Sequence, residues 1–337
     1  MSGTTPVSRW KTVAAFAVIY LVWGSTFLAI RVGVSEVPPF LLAGMRFVVA
    51  GILLYGWMRL KGTVSPTVRE WGAATIVAVP FFVLDYGLVF WAEQRVPSGL
   101  TAVMMATIPV FMALSEILFM KTQRLTARLG IALAVGILGV GVLVSHGASG
   151  GDAPIDPWGA VALIVGALSW AIGSAMTPKL SLPGSKAMSS GAQMLAGGVL
   201  LTVVALALGE FRGFHLQAVS VRAWLALAYL IGAGSILAFT AYVWLIHHES
   251  PTKVGTYAYV NPVVAVILGY FLGGETIGLR TVLGTALILV SVVVITTAKK
   301  KDAFINSRFA RTKIIDEGAA DKNSSSVDGN VYGTQAE

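Results

Sequence analysis

Cysteine is missing altogether, and charge is scarce. Without a thiol the chain has no disulfide, no iron–sulfur cluster and no thiolate–zinc site, although that absence leaves its compartment open. Only 12% of the 337 residues are Asp, Glu, Lys or Arg and 56% are hydrophobic, whereas soluble domains carry about 25% charge. There is no HExxH run, no Ser-His-Asp arrangement and no cluster of paired carboxylates. The glycine-rich GILGVGVLV at 136–144 lacks the lysine and the strand–loop–helix setting of a phosphate loop. His247 and His248 point about 100° apart on a helix and have no third ligand nearby, so an inner-loop pair is the better account than a metal site. Catalysis, a bound cofactor and a nucleotide motor are therefore not expected.

The apolar residues fall instead into ten long runs, at roughly 12–32, 40–58, 72–92, 98–119, 126–145, 157–178, 187–208, 223–246, 252–272 and 280–297. Each is long enough to cross about 30 Å of hydrocarbon. The first is too long for a signal-peptide core and no small-residue cleavage site follows it, so it reads as a permanent helix. An all-α integral membrane protein of ten transmembrane helices is expected.

The formal net charge of +8 orients this bundle and gives no reason to expect nucleic acid. With a cytoplasmic start, the inner side collects Arg9, Lys11, Arg59, Lys61, Arg69, Lys121, Arg124, Arg128, Lys179, Lys186, Lys253 and the Lys299–Lys301 run. The outer side has Arg95, Arg212, Arg222 and Arg280, with Arg31 near it. Such a bias predicts that both termini are cytoplasmic.

The chain also repeats itself. Pro97–Thr122 and Ser250–Glu275 share a pattern with Pro109 and Pro262 in equivalent places, 153 residues apart. Trp23 and Trp170 are 147 apart, as are Gly44-Met45-Arg46 and Gly191-Ala192-Gln193, and Gly51-Ile52-Leu53-Leu54 and Gly198-Val199-Leu200-Leu201. Leu84 and Trp91 return as Leu237 and Trp244. The expected organisation is a lead at 1–11, a first repeat at 12–146, a Gly/Pro/Asp linker at 147–157, a second repeat at 158–298 and a disordered cytoplasmic tail at 299–337. Five helices is an odd number, so the second repeat enters the bilayer from the opposite side. Inverted repeats of this kind place a substrate near the midplane of a transporter.

Several residues carry possible chemistry. Ser250 as N-cap and Pro251 at N1 would open the ninth helix. Pro262 lacks an N–H and crowds the Ala258 carbonyl, so that helix should bend there, beside Tyr257 and Asn261 on one face. Pro109 and Pro262 are candidate bending points for two opposite gates. Trp23 and Trp170 fall near the bilayer centre, either as cavity walls or as packing residues. Arg46, embedded in the second helix, needs a partner, and Asp85 lies at comparable depth; a structural ion pair and a role in substrate or proton coupling are both open. Gln193 takes the place of Arg46 in the second repeat. Glu116 and Arg31 read as solvated charges at helix ends. The residues expected to line a cavity are Trp23, Ser25, Thr26, Asp85, Trp170, Tyr242, Tyr257, Tyr259 and Asn261, with Arg46, Gln193, Pro109 and Pro262 as structural or coupling residues.

The segments YLVWGSTFLAIRVG (20–33), PPFLLAGMRFVVAGILL (38–54), VPSGLTAVMMATIPVF (96–111), LSWAIGS (168–174) and TYAYVNPVVAVILGYFLGGE (256–275) resemble the EamA-type branch of the drug/metabolite transporter superfamily. The first two, with the last, resemble a bacterial inner-membrane subgroup of metabolite exporters. The resemblance implies two repeats, ten helices and a cavity lined by helices 1, 3, 4, 6, 8 and 9. It also implies export of small metabolites, amino acids or drug-like amines; a monomer or homodimer in the bacterial inner membrane is expected, and import or passive facilitation of the same solutes is the competing reading. Glu275 fits the family's Gly-Glu ending, but its first-repeat counterpart is Thr122.

Overall fold

The computed structural model describes residues 9–118, 125–144, 156–249, 254 and 256–295. Among them there is no strand, and ten apolar helices follow one another in the expected order. They are α1 (Arg9–Val34), α2 (Pro39–Leu60), α3 (Val68–Ala92), α4 (Ser98–Met105, then Ile108–Leu118), α5 (Ala127–Val144) and α6 (Pro157–Met176). The rest are α7 (Lys186–Ala207), α8 (Val221–Tyr229, Leu230–Leu237 and Ala238–His248 in one line), α9 (Tyr257–Gly273) and α10 (Leu279–Ile295). Eight have membrane length. α9 and α10 are shorter, and the 17 residues of α9 rise about 26 Å. The linker at 147–155, the tail from 299, and Ser250 and Pro251 lie outside the described residues, as do the side chains of Glu116 and His247.

Local chemistry sets the helix starts. Pro38 is held extended ahead of Pro39 at the first position of α2 (φ −53°, ψ 139°). Thr67 and Glu70 form a reciprocal capping box on α3, and Asp156, Ser185 and Ser220 cap α6, α7 and α8 through their side chains. Gly274 closes α9 in the left-handed region at φ 65°.

The two repeats correspond in a feature that hydropathy does not show. α3 widens into a π-helical stretch at Val79–Tyr86, and α8 does so at Leu230–Leu237. In the 153-residue register these differ by two positions. π segments leave carbonyls poorly served, and here side chains serve several of them. Ser169 Oγ donates to Pro80 O (2.9 Å), Ser235 Oγ to Leu230 O (3.0 Å) and Trp23 Nε1 to Gly234 O (3.1 Å).

α2 and α7, the equivalent second helices of the two repeats, form the closest seam between them. A Cβ on Gly51 would sit 2.6 Å from Leu195 N, and one on Gly191 2.9 Å from Tyr55 N. The same holds for Gly198 against Val48 N. These are the glycines that mark the repeat in the sequence; hydrogen in place of a side chain lets two backbones touch.

The α1–α2, α3–α4, α7–α8 and α9–α10 turns lie at one end of the bundle, called here the distal end, and the largest apolar core runs from there along the helices as far as Leu54 and Met194. It takes in Ile30, Val34, Phe40, Phe47, Phe90 and Val103.

The two prolines sit differently in their helices. α4 does break near Pro109, at Ala106–Thr107, but Pro262 sits inside an unbroken α9 and the corresponding turn comes earlier, at Thr256. Pro262 is the sixth residue of α9, so the bond it removes is the one the Ala258 carbonyl would otherwise accept.

Candidate functional site

The expected cavity residues divide into two aromatic groups, one from each side of the pseudo-symmetry. In the first, Trp23 of α1 packs on Tyr242 of α8 (5.3 Å between ring centroids) and edge-on to Tyr257 of α9 (5.0 Å). Asn261, one turn beyond Tyr257, is buried, and with its amide nitrogen donating it bonds Tyr257 O and Tyr20 O at 3.2 and 3.3 Å. In the second, Trp170 of α6 packs on Phe81 (4.6 Å) and edge-on to Tyr86 (6.1 Å), both from the π segment of α3.

Arg46 joins the two groups. It is 2% exposed, and its Nε donates to Ser235 Oγ on α8 at 3.0 Å. Its guanidinium lies over the rings of Phe47 (4.7 Å), Tyr86 (5.2 Å) and Phe90 (5.9 Å). Gly234, whose carbonyl holds Trp23, also abuts Arg46: a Cβ there would be 2.9 Å from Thr26 Cγ2 and 3.4 Å from Arg46 Nη2. A continuous path therefore runs Trp23, Gly234, Arg46, Tyr86, Trp170. Arg46 Nη1 is buried with no hydrogen-bond partner among the described residues.

The expected Arg46–Asp85 ion pair is absent. Tyr86 faces Arg46, and its helical neighbour Asp85 therefore points elsewhere, towards Gly166 of α6, where a Cβ would be 3.5 Å from Asp85 Oδ1. Asp85 is 3% exposed and its Oδ1 has no hydrogen-bond partner among the described residues. Arginine solves its burial with π-faces and a hydroxyl, leaving the carboxyl poised against a glycine.

Other expected residues are less central. Ser25, two residues from Trp23 and so on nearly the opposite face of α1, bonds Tyr229 Oη (2.6 Å) and Val22 O (2.8 Å). Thr26 bonds back to Trp23 O at 2.6 Å and packs on Gly234. Tyr259 packs against the main core, and Gln193 donates to Ser189 Oγ on its own helix (2.9 Å). Tyr86, Gly234 and Ser235 were not singled out as lining residues. The signal available in the sequence was the need of Arg46 for aromatic and hydroxyl neighbours at its own depth.

A groove of about 770 Å³ between α2, α7 and α8 is walled by Met45, Val48, Val199, Val203 and Leu227. Thr202 is there too, but its hydroxyl is spent on Gly198 O. Such a wall suits lipid chains, not a polar solute.

At the distal end, three carboxylates cap helices other than their own. Glu275, after α9, accepts from Ser98 N (2.6 Å), Ser98 Oγ (2.7 Å) and Gly99 N (3.0 Å) at the start of α4. Glu210 accepts from Leu41 N (2.8 Å) and Phe40 N (3.4 Å) at the start of α2; burial lifts its carboxyl above the ordinary range, and those amides pull it back. Glu36 accepts from Ser220 Oγ and N (both 2.6 Å) at the start of α8, and these bonds lower its carboxyl. Arg31 corrects another expectation. It is not a free surface charge: Nη1 donates to Val96 O (2.8 Å) and Glu93 O (3.2 Å), and Nε lies 3.7 Å from Glu275 Oε1.

Comparison with known proteins agrees with this architecture. The model of the EamA-like transporter family matches twice, over residues 10–145 and 157–297. The inner membrane transporter YedA of Escherichia coli K12 is 40% identical over 289 residues, 85% of this chain and 90% of that protein. A transporter of Archaeoglobus fulgidus is 26% identical over 86% of this chain and 98% of its own. A WAT1-related chloroplast protein of Arabidopsis thaliana is 25% identical over 84% of this chain and 69% of its own. A crystal structure aligns with a TM-score of 0.54 at 21% identity, over 87% of this chain and 99% of that one, a likeness of fold. A duplicated five-helix unit matched along nearly the whole membrane region, with a relative at 40% identity, settles the family: this chain belongs to the EamA-like transporter family and is a membrane transporter.

Proposed function

We propose that the protein exports small organic solutes, amino acids or drug-like amines, across a bacterial inner membrane by alternating access. The observation that carries this reading is the aromatic and polar band drawn from both repeats: Trp23, Tyr242 and Tyr257 on one side, Tyr86 and Trp170 on the other, with Arg46 between. Aromatic faces attract an ammonium group, and a partly unserved guanidinium attracts a carboxylate. Amino acids carry both groups. Asp85, buried beside Gly166, is the acid at that depth available to hold an amine or a proton.

Orientation follows from charge. The positive-inside bias sets both termini in the cytoplasm and the distal end outside. The outer end is then the one tied shut by Glu36, Glu210 and Glu275.

Uptake into everted membrane vesicles, across a panel of amino acids and organic amines with the proton gradient present and then collapsed, tests the reading. Gradient-dependent accumulation of one class, lost in Asp85→Asn, is the expected result. Uptake that only equilibrates and ignores the gradient would make the protein a facilitator.

A further inference from the structure

Glu93 has no part in the band just described, and its setting is unusual. It caps the end of α3 at the distal end and is 1% exposed. Neither carboxyl oxygen has a hydrogen-bond partner among the described residues. Around it the chain is tightly tied. Its own carbonyl accepts from Arg31, which also reaches Val96 O and the Glu275 carboxylate that caps α4. The charged groups acting on it are Arg31 from α1 and Glu275 from the α9–α10 turn. Arg95 and Asp156, on the neighbouring turn and the start of α6, pair with each other at 3.9 Å, each about one-third exposed. Ser98 of α4 is committed to Glu275.

An ionised carboxylate without a single hydrogen bond is not stable in such a place. We propose that Glu93 is a proton-binding residue: its carboxyl takes up one proton as the outer end closes and releases it to the outside as that end opens. The proposal rests on the alternating-access reading. Burial pushes the Glu93 carboxyl well above the usual range, Arg31 pulls it part of the way back, and Glu275 adds to the rise. When the junction opens, water reaches the side chain and its affinity for the proton returns towards that of a free glutamate. The closed outer end is therefore favoured at acid external pH and loses that advantage as pH rises through the raised value. A proton would bias the transporter inward-facing with no contact to the solute.

The absence of native cysteine makes the test clean. A single Val103→Cys, fully buried in α4, reports opening of the distal end, and Leu216→Cys, exposed between α7 and α8, corrects for thiol ionisation. Both are labelled with a membrane-impermeant maleimide from the distal side of sealed vesicles across a range of pH. The Val103/Leu216 ratio should rise with pH, by up to about tenfold per unit for one linked proton. In Glu93→Gln, which mimics the protonated acid, it should stay low and flat. A flat ratio with Glu93 intact, or an unchanged slope in Glu93→Gln, overturns the proposal. Should Glu93→Gln not fold, Glu93→Asp must move the midpoint of the slope, and an unmoved midpoint overturns it equally. A separate arm needs no transport: the infrared band of a protonated carboxyl at neutral pH should be lost in Glu93→Gln. If no band is lost, Glu93 is ionised in the closed state and the proposal falls even where vesicle transport succeeds.

Discussion

Glu275→Gln probes the distal closure most directly. The carboxylate is 8% exposed and takes three hydrogen bonds from the first residues of α4, with Arg31 alongside. A hydrogen bond to a charged group contributes roughly 1.5–3 kcal/mol and one between neutral groups roughly 0.5–1.5. Neutralising the acceptor therefore weakens each bond by about 1 kcal/mol, or about 3 kcal/mol for the set. The Arg31 pair, one-third exposed on the arginine side, adds at most a few tenths. A loss of about 3 kcal/mol is a shift of about a hundredfold in the opening equilibrium. The groups at stake are backbone amides, so hydrogen exchange reads them without a transport assay. In lipid nanodiscs, peptides covering Ser98 and Gly99 should exchange about a hundredfold faster in Glu275→Gln. Peptides at the start of α8, capped by Glu36, should not change. Equal exchange at Ser98 in both proteins would refute the assigned role of Glu275, and faster exchange everywhere would show global destabilisation in place of a local release.

Three further outcomes are expected. Gly198→Ala drives a Cβ into the backbone of α2 and should destabilise the protein by about 1–3 kcal/mol in detergent thermal unfolding, whereas Gly56→Ala, with nothing within 4 Å, should be neutral or slightly stabilising. Arg46→Lys loses the planar stack on three rings and the geometry of the Ser235 bond, at about 2–4 kcal/mol; transport by the lysine variant should fall at least tenfold in vesicles, and full retention would remove Arg46 from the site. Glu36 is lowered by its bonds to Ser220, so the tie it makes is present above the ordinary carboxylate range and fades as pH falls through the lowered value; exchange at Ser220–Ala223, corrected for the intrinsic pH dependence of exchange, should accelerate only at acid pH.

Much of the architecture was legible in the chain. Hydropathy placed ten helices within a few residues of where they lie, because a bilayer demands long apolar helices whose backbones satisfy themselves. The duplicated glycines at 44, 51, 191 and 198 were visible as a repeat, yet that they form the seam between the repeats was not. Trp23, Tyr242 and Tyr257, expected among the cavity residues, pack against one another, whereas Ser25, expected with them, turns to another face of α1.

By itself the sequence determined class, span count, duplication and the residue types held at mid-depth, since these follow from composition, period and spacing along one chain. Tertiary structure alone decided who partners whom. The turn from Asp85 to the next residue, Tyr86, gives Arg46 a ring in place of a carboxylate, and two π segments set the angles at which α3 and α8 present their groups. The distal ties of Glu275, Glu210 and Glu36 cross more than a hundred residues of sequence. A helix start that needs an acceptor takes whichever carboxylate the fold brings within reach, and spacing along the chain carries no record of that distance.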